Sequence, residues 1–192
     1  MIYQGSRFLA AVDYFHSKQT NNIILANATT AGQYVNSGQS IFHGFELEEK
    51  YYFKKNFSLM GSALYQNNHD ENGNTDITPI PNFEAKAGIS YESSGGFTVG
   101  LFDVYEGHVS GYAQSANPPP TAYHLVNAHF RWDLSKYLAP GSRTGLALVA
   151  HVDNLTNKSI WLPDWKDVPG GSTFADRGRT IYAGIEFSLK KD

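Results

Sequence analysis

Cysteine is absent from the 192 residues, so the chain has neither a disulfide framework nor a thiolate metal site. Charge is scarce too: Asp, Glu, Lys and Arg make up 17% of the chain, where soluble domains carry about 25%. The 15 basic and 18 acidic residues sum to −3, which leaves no net basic field for nucleic acid or for anionic lipid headgroups and sets both aside as partners. No run approaches the ~18 apolar residues of a membrane helix. The opening stretch, MIYQGSRFLAAVDYF, lacks the basic start, long apolar segment and small-residue cleavage site of a signal peptide. These absences still admit a membrane β-barrel, because alternating strands average to a hydropathy that looks soluble.

What is present points to strands. Hydrophobic residues are 41% of the chain and aromatics 14%, with 18 glycines to make turns. About eight strands in hairpin order are expected, over Ser6–Ser17, Gln39–Phe53, Phe57–Asn68, Asn82–Ser93, Phe97–His108, Tyr123–Leu134, Gly145–Asn154 and Gly178–Leu189. Each is near the ~9–11 residues that a tilted strand needs to cross a bilayer, and longer than the ~5–6 usual in soluble sheets.

The faces of these strands separate cleanly. In NFEAKAGISYE, Phe83, Ala85, Ala87, Ile89 and Tyr91 alternate with Glu84, Lys86, Gly88, Ser90 and Glu92. Further along, Val126, Ala128, Phe130, Trp132 and Leu134 oppose Asn127, His129, Arg131 and Asp133, while Phe45, Leu47, Tyr51 and Phe53 oppose Glu46, Glu48 and Lys50. The chain's last strand sets Ile181, Ala183, Ile185, Phe187 and Leu189 against Tyr182, Glu186 and Ser188. The first and seventh strands alternate poorly and are placed by position.

Connections alternate in length. Lys54 to Asn56, Ser93 to Gly96 and the longer SKYLAPGSRTG lie at one end. Lys18 to Gly38, His69 to Pro81, Val109 to Ala122 and Leu155 to Arg177 lie at the other and are rich in Asn, Gly, Pro and Ser. Tyr51, Tyr52, Phe53, Phe57, Tyr91, Phe97, Trp132 and Tyr137 gather at the short-turn end, where an interfacial aromatic girdle belongs. The pattern predicts an all-β, antiparallel transmembrane β-barrel segment with short periplasmic turns and long extracellular loops.

Four strings in order carry a family resemblance. YVNSGQSIFHGFELEEKYYF, with Gly44, Glu46 and Glu48, resembles a strand of the TonB-dependent receptors, and IPNFEAKAGISY is similar to that family's Ile-Pro-Asn strand start. HVDNLTNKSIW resembles its strand exit at Asn154 to Lys158, and RGRTIYAGIEFSL its closing strand, with Gly178 and Arg179 in matching places. The resemblance implies a large barrel of about 22 strands whose lumen holds an N-terminal plug. Residues 1–192 then correspond to the C-terminal part of the barrel domain, without the plug, the TonB-contacting segment or the N-terminal strands. It further implies the cell outer membrane of a Gram-negative bacterium, outer-membrane lipid as neighbour, and a small-molecule ligand such as a ferric siderophore, cobalamin or a glycan. Coupling to the TonB system would run only through the plug. The family commonly ends on Phe, where this chain has Leu189 followed by Lys190, Lys191 and Asp192.

No catalytic constellation is legible. The chain lacks a Gly-x-Ser-x-Gly elbow and a phosphate-cradling glycine loop, and its seven histidines show no metal-ligand spacing, although His129 and His151 could share a face of neighbouring strands. Neither a cofactor nor a metal is expected. Glu46, Glu48, Lys50, Glu84, Lys86, His129, Arg131, Asp133 and Glu186 are expected to line a polar lumen. Trp161, Trp165, Tyr112 and Tyr123, at or beyond the extracellular strand ends, are candidates to stack on a ligand's rings or sugars. Two other architectures fit part of the pattern. One is a complete eight-stranded outer-membrane barrel with a structural or adhesive role, its lumen filled by Glu46, Glu84, Lys86 and Arg131; the other is an outer-membrane lipid-modifying enzyme. Strand length and one-sided loops disfavour a soluble ligand-binding barrel.

Overall fold

The computed structural model describes residues 1–25, 34–54, 56–78, 80–109, 120–138, 144–163, 172–175 and 178–189. Its strands are β1 (Ile2–Gln4), β2 (Phe8–Leu25), β3 (Tyr34–Phe53), β4 (Phe57–Asp70), β5 (Phe83–Glu92), β6 (Phe97–Glu106), β7 (Tyr123–Asp133), β8 (Thr144–Asp153), β9 (Trp161–Pro163), β10 (Ser172–Phe174) and β11 (Thr180–Leu189). One helical turn, α1 (Ser135–Leu138), precedes β8. Nine strands form a single sheet in the order β1-β2-β3-β4-β5-β6-β7-β8-β11, antiparallel throughout, and β9 with β10 makes a separate small hairpin. Among the described residues β11 pairs only with β8, so the sheet is open and the closed eight-stranded barrel does not form.

The interior strands fall within two residues of the sequence expectation, but the first hairpin does not. β2 and β3 run to Leu25 and back from Tyr34, pairing through much of what the sequence reads as a loop. Asn21, at φ 60°, takes up a register shift that lets the ladder continue, as asparagine tolerates left-handed backbone better than most residues. At 18 and 20 residues these strands are well over the ~9–11 residues that a tilted strand needs to cross a bilayer. Two further differences are small. β1 adds an edge strand on β2, and α1 turns the SKYLAPGSRTG connection, where Asp133 Oδ1 accepts the Ser135 N–H at 2.9 Å. The Tyr137 hydroxyl donates to the Gly95 carbonyl at 3.2 Å, which ties this connection to its neighbour.

Among the described residues most of the sheet's surface is uncovered, although the loop after β4 buries Gln66 and Asn68 at one end of the charged face. Among the described residues only Val109, Ala147 and Ile160 are buried apolar side chains, while Val99, Leu101, Ile89 and Leu148 stand open. A soluble sandwich hides such a face, because leaving it wet forfeits the main driving force of folding. On the apolar face two aromatic rows bracket this open band. The short-turn row runs Phe8–Tyr51, then Phe53–Phe57, Phe57–Tyr91 and Tyr91–Phe97, with centroids 6.3, 5.9, 4.6 and 5.8 Å apart, and ends at Trp132–Tyr137, 6.3 Å. The long-loop row, which sequence reasoning missed, runs Tyr14–Phe45 at 5.1 Å, through Tyr65 opposite Phe45 and Phe83, to Phe83–Tyr105 at 5.9 Å and Tyr105–His124 at 4.8 Å. From Phe57 to Tyr65, at ~3.3 Å per residue and a tilt of ~40°, the rows stand about 20 Å apart, near the height of an outer-membrane apolar band.

Glycines set the close contacts on the opposite face. A Cβ on Gly44 would collide with the Tyr65 carbonyl oxygen and stand 2.8 Å from the Phe15 ring, which lies over this glycine. At Gly184 an added Cβ meets only Val149, at an ordinary 3.5 Å. Gly44→Ala is therefore expected to destabilise the complete gene product by about 1–3 kcal/mol through overpacking against β4, whereas Gly184→Ala shifts it by less than about 0.5 kcal/mol. Urea midpoints of the two variants in detergent check this, and equal midpoints would refute the packing account.

Candidate functional site

Charge gathers on one face because every strand contributes alternate residues to it and the registers align them. Asp13 lies opposite Glu46, Glu46 opposite Leu64, Leu64 opposite Glu84, and Glu84 opposite Glu106, a row of carboxylates interrupted only by leucine. The next row toward the short turns holds Glu48, Ser62 and Lys86, and Lys50 follows opposite Met60. Glu46, Glu48, Ser62, Leu64, Glu84 and Lys86 line an open groove of about 210 Å³. Among the described residues no ion pair joins Lys50 or Lys86 to a carboxylate, and the Lys50 ammonium stands 5.1 Å from the Tyr52 ring centre. The groove is polar and wettable, with no nucleophile paired to a base.

Arg131 is held differently. Its Nη2 and Nε donate to the two carboxylate oxygens of Glu186 at 3.2 and 3.3 Å, across the intervening β8, and Asp133 lies 4.0 Å away. This bidentate fork pins β11 to β7 on the charged face. His129 and His151 are directly opposite, with ring centroids 6.1 Å apart, and His151 Nε2 is 2.7 Å from Asp153 Oδ1. No group of three His, Asp or Glu among the described residues could hold a metal ion. All nine charged or imidazole residues singled out from sequence thus share one face, in two clusters.

The aromatic candidates scatter. Trp161 packs edge-on against Phe174 at 5.2 Å inside the β9–β10 hairpin, and Tyr123 lies opposite Glu106 on the charged face. Tyr112 and Trp165 lie outside the described residues.

The motif strings turn out to be joints. Asn154, buried and at φ 50°, accepts the Lys158 N–H through Oδ1 and donates Nδ2 to the Lys158 carbonyl, both at 2.8 Å, while its own N–H donates to Asn127 Oδ1 at 2.9 Å. Asn157 Oδ1 then accepts the Arg179 N–H at 2.9 Å, beside Gly178 at φ 79°, so the exit of β8 and the start of β11 form one clasp. At the Ile-Pro-Asn start of β5, Gln66 Nε2 donates to the Pro81 carbonyl at 3.0 Å, and Asn82 Nδ2 bonds Asp76 Oδ1. Asp70 gathers the loop after β4 by accepting from the backbone N–H groups of Asn72 and Asn74, both at 2.9 Å, and from Asn74 Nδ2 at 2.6 Å.

The TonB-dependent receptor-like β-barrel profile matches residues 1–155. The chain belongs to this family. Its members are transporters, not enzymes, so the lipid-modifying alternative falls. Solved structures extend the agreement through β11. The ferric citrate transporter FecA is 19% identical with a TM-score of 0.72, over 97% of this chain and 30% of its own. The copper transporter OprC is 17% identical at 0.72, over 98% and 30%. The ferric yersiniabactin uptake receptor FyuA of Yersinia pestis is 16% identical at 0.72, over 98% and 28%. This receptor-family chain therefore spans less than a third of the length of these structures. No curated protein sequence matches it.

Two outcomes follow for the joints. Asn154→Ala removes both side-chain hydrogen bonds to the Lys158 backbone and is expected to cost about 1–3 kcal/mol of stability, read as a lowered urea midpoint. The hydrogen bond donated by the Asn74 side chain, opposed by desolvation and aided by the backbone N–H groups of Asn74 and Asn72, holds the Asp70 carboxyl below the ordinary carboxylate range. A depressed value stabilises the ionised fold. The loop should stay ordered above that range and loosen as pH falls through it, so the Asn72 and Asn74 amide resonances should move in acid and lose that movement in Asp70→Asn.

Proposed function

We propose that residues 1–192 are the C-terminal part of a TonB-dependent receptor barrel, completed by N-terminal strands and a plug, which captures a scarce small-molecule ligand outside a Gram-negative cell and imports it. The single observation that supports this most is the division of one continuous antiparallel sheet into an apolar face with two aromatic rows and a face carrying all the selected charges. In such a barrel the first face meets outer-membrane lipid and the second lines the lumen, where Glu46, Glu48, Lys50, Glu84, Lys86, His129, Arg131, Asp133 and Glu186 face water and the plug. The exposed strand β11 then closes against a strand of the N-terminal part, since an unpaired edge in hydrocarbon leaves its N–H and C=O groups without partners at several kcal/mol each.

Ligand capture falls to the extracellular loops. Trp161, Trp165, Tyr112 and Tyr123 belong to that rim, and a ferric siderophore is the ligand class we favour, as iron and siderophore receptors such as FyuA and FecA share the fold. The barrel supplies no covalent step, and energy arrives through TonB and the plug.

The test is transport by a receptor-deficient host expressing the complete gene, fed a panel of radiolabelled ferric siderophores. Uptake of one class is expected, and its loss when TonB is deleted. Identical uptake with and without the gene across the panel would sink the siderophore reading, and uptake indifferent to TonB would sink the coupling. Trp161→Ala should raise the KM for uptake about threefold or more with the maximal rate kept, the signature of lost binding rather than lost translocation.

A further inference from the structure

Four of the seven histidines, His16, His43, His69 and His124, lie on the apolar face at its long-loop end. His124 closes the outer aromatic row, and its Nδ1 pairs with Asp103 at 2.7 Å. The other three stand one and two pairs beyond Tyr14, Phe45 and Tyr65. His16 is directly opposite His43 with centroids 6.4 Å apart, and His43 meets His69 edge-on at 6.1 Å. Lys18 lies opposite Ile41, which in turn lies opposite His69, so an exposed ammonium flanks the imidazoles.

Among the described residues, the carboxylates around this strip are hydrogen-bonded elsewhere or distant. Glu71 Oε2 accepts the Gln39 N–H at 2.8 Å, Asp70 on the other face is tied to Asn72 and Asn74, and Glu49 lies six residues inward of His43. Beneath the imidazoles the same face carries Val12, Leu47 and Ala63. Whatever occupies this strip sits where an apolar band gives way to imidazole and ammonium N–H donors, on the side of the sheet away from the carboxylate groove. An amphiphile with acyl chains and a phosphorylated head has that division. A metal ion does not fit, because no three donors here could share one.

We infer that His16, His43, His69 and Lys18 form an outward-facing site for the phosphorylated headgroup of an outer-leaflet lipid. Rings about 6 Å apart leave room for one phosphate to accept from two of them, at ordinary charge-assisted N···O distances of ~2.8 Å.

The test titrates the complete gene product in a zwitterionic detergent with dioctanoyl phosphatidic acid, dioctanoyl phosphatidylcholine and inorganic phosphate, read by imidazole NMR. Phosphatidic acid should bind at least fivefold tighter than phosphatidylcholine, with the advantage vanishing in H16N/H43N/H69N. If that variant fails to fold, His16→Asn alone, at an exposed position, should halve the advantage or better. Equal binding of the two lipids, or an advantage that survives these substitutions, overturns the site. Inorganic phosphate competing at the same concentration as phosphatidic acid overturns its assignment to lipid. Siderophore transport is read separately, so neither result depends on the other.

Discussion

Register is the constraint on which everything else in this sheet depends. With a side-chain period of two, a slip of one residue in any pairing would carry that strand's charges to the apolar face and its leucines to the charged face. Four successive pairings must therefore agree before Asp13, Glu46, Glu84 and Glu106 can form one row, and one of them sets Phe57 against Tyr91. Short turns set the register at one end. At the other, where connections are long, side-chain hydrogen bonds take over, from Gln66 to Pro81, Asn154 to Lys158 and Asn157 to Arg179.

That division explains why the recurring strings are rich in Asn and Gly and poor in groups suited to binding. Gly44 gives way to Phe15, and Asn154 adopts a left-handed backbone while satisfying both polar groups of Lys158. These residues build the scaffold of the sheet. Connections can change without disturbing the ladder.

The energetics match a sheet whose two faces have different solvents. Few apolar side chains are buried, so the chain's own contacts leave much of the hydrophobic driving force unspent, and the apolar face is stable only against an apolar medium. The charged face needs water or a polar filling, since Lys50 and Lys86 find no carboxylate among the described residues. The bidentate Arg131–Glu186 pair, partly exposed, contributes little to stability on its own, typically ~0–1 kcal/mol, but it orients β11.

The all-β class, the antiparallel order, the sidedness of Glu84, Lys86, His129 and Arg131, and the family all follow from local signals. Alternation and turn chemistry act within a few residues and so survive in the linear string. The extension of β2 and β3 through an Asn-rich stretch was not legible, because a bulge at Asn21 lets a polar segment pair where composition reads loop. Nor was the outer row of Tyr14, Phe45, Tyr65, Phe83 and Tyr105, or the histidine strip beyond it, since their members come from different strands and meet only through register. Trp161, conspicuous in sequence, meets Phe174 only through the pairing of β9 with β10. Which side each residue occupies is a property of the strand and was settled by the sequence; which residues stand at the same height, and so act together, is a property of the sheet and was decided only by pairing across strands.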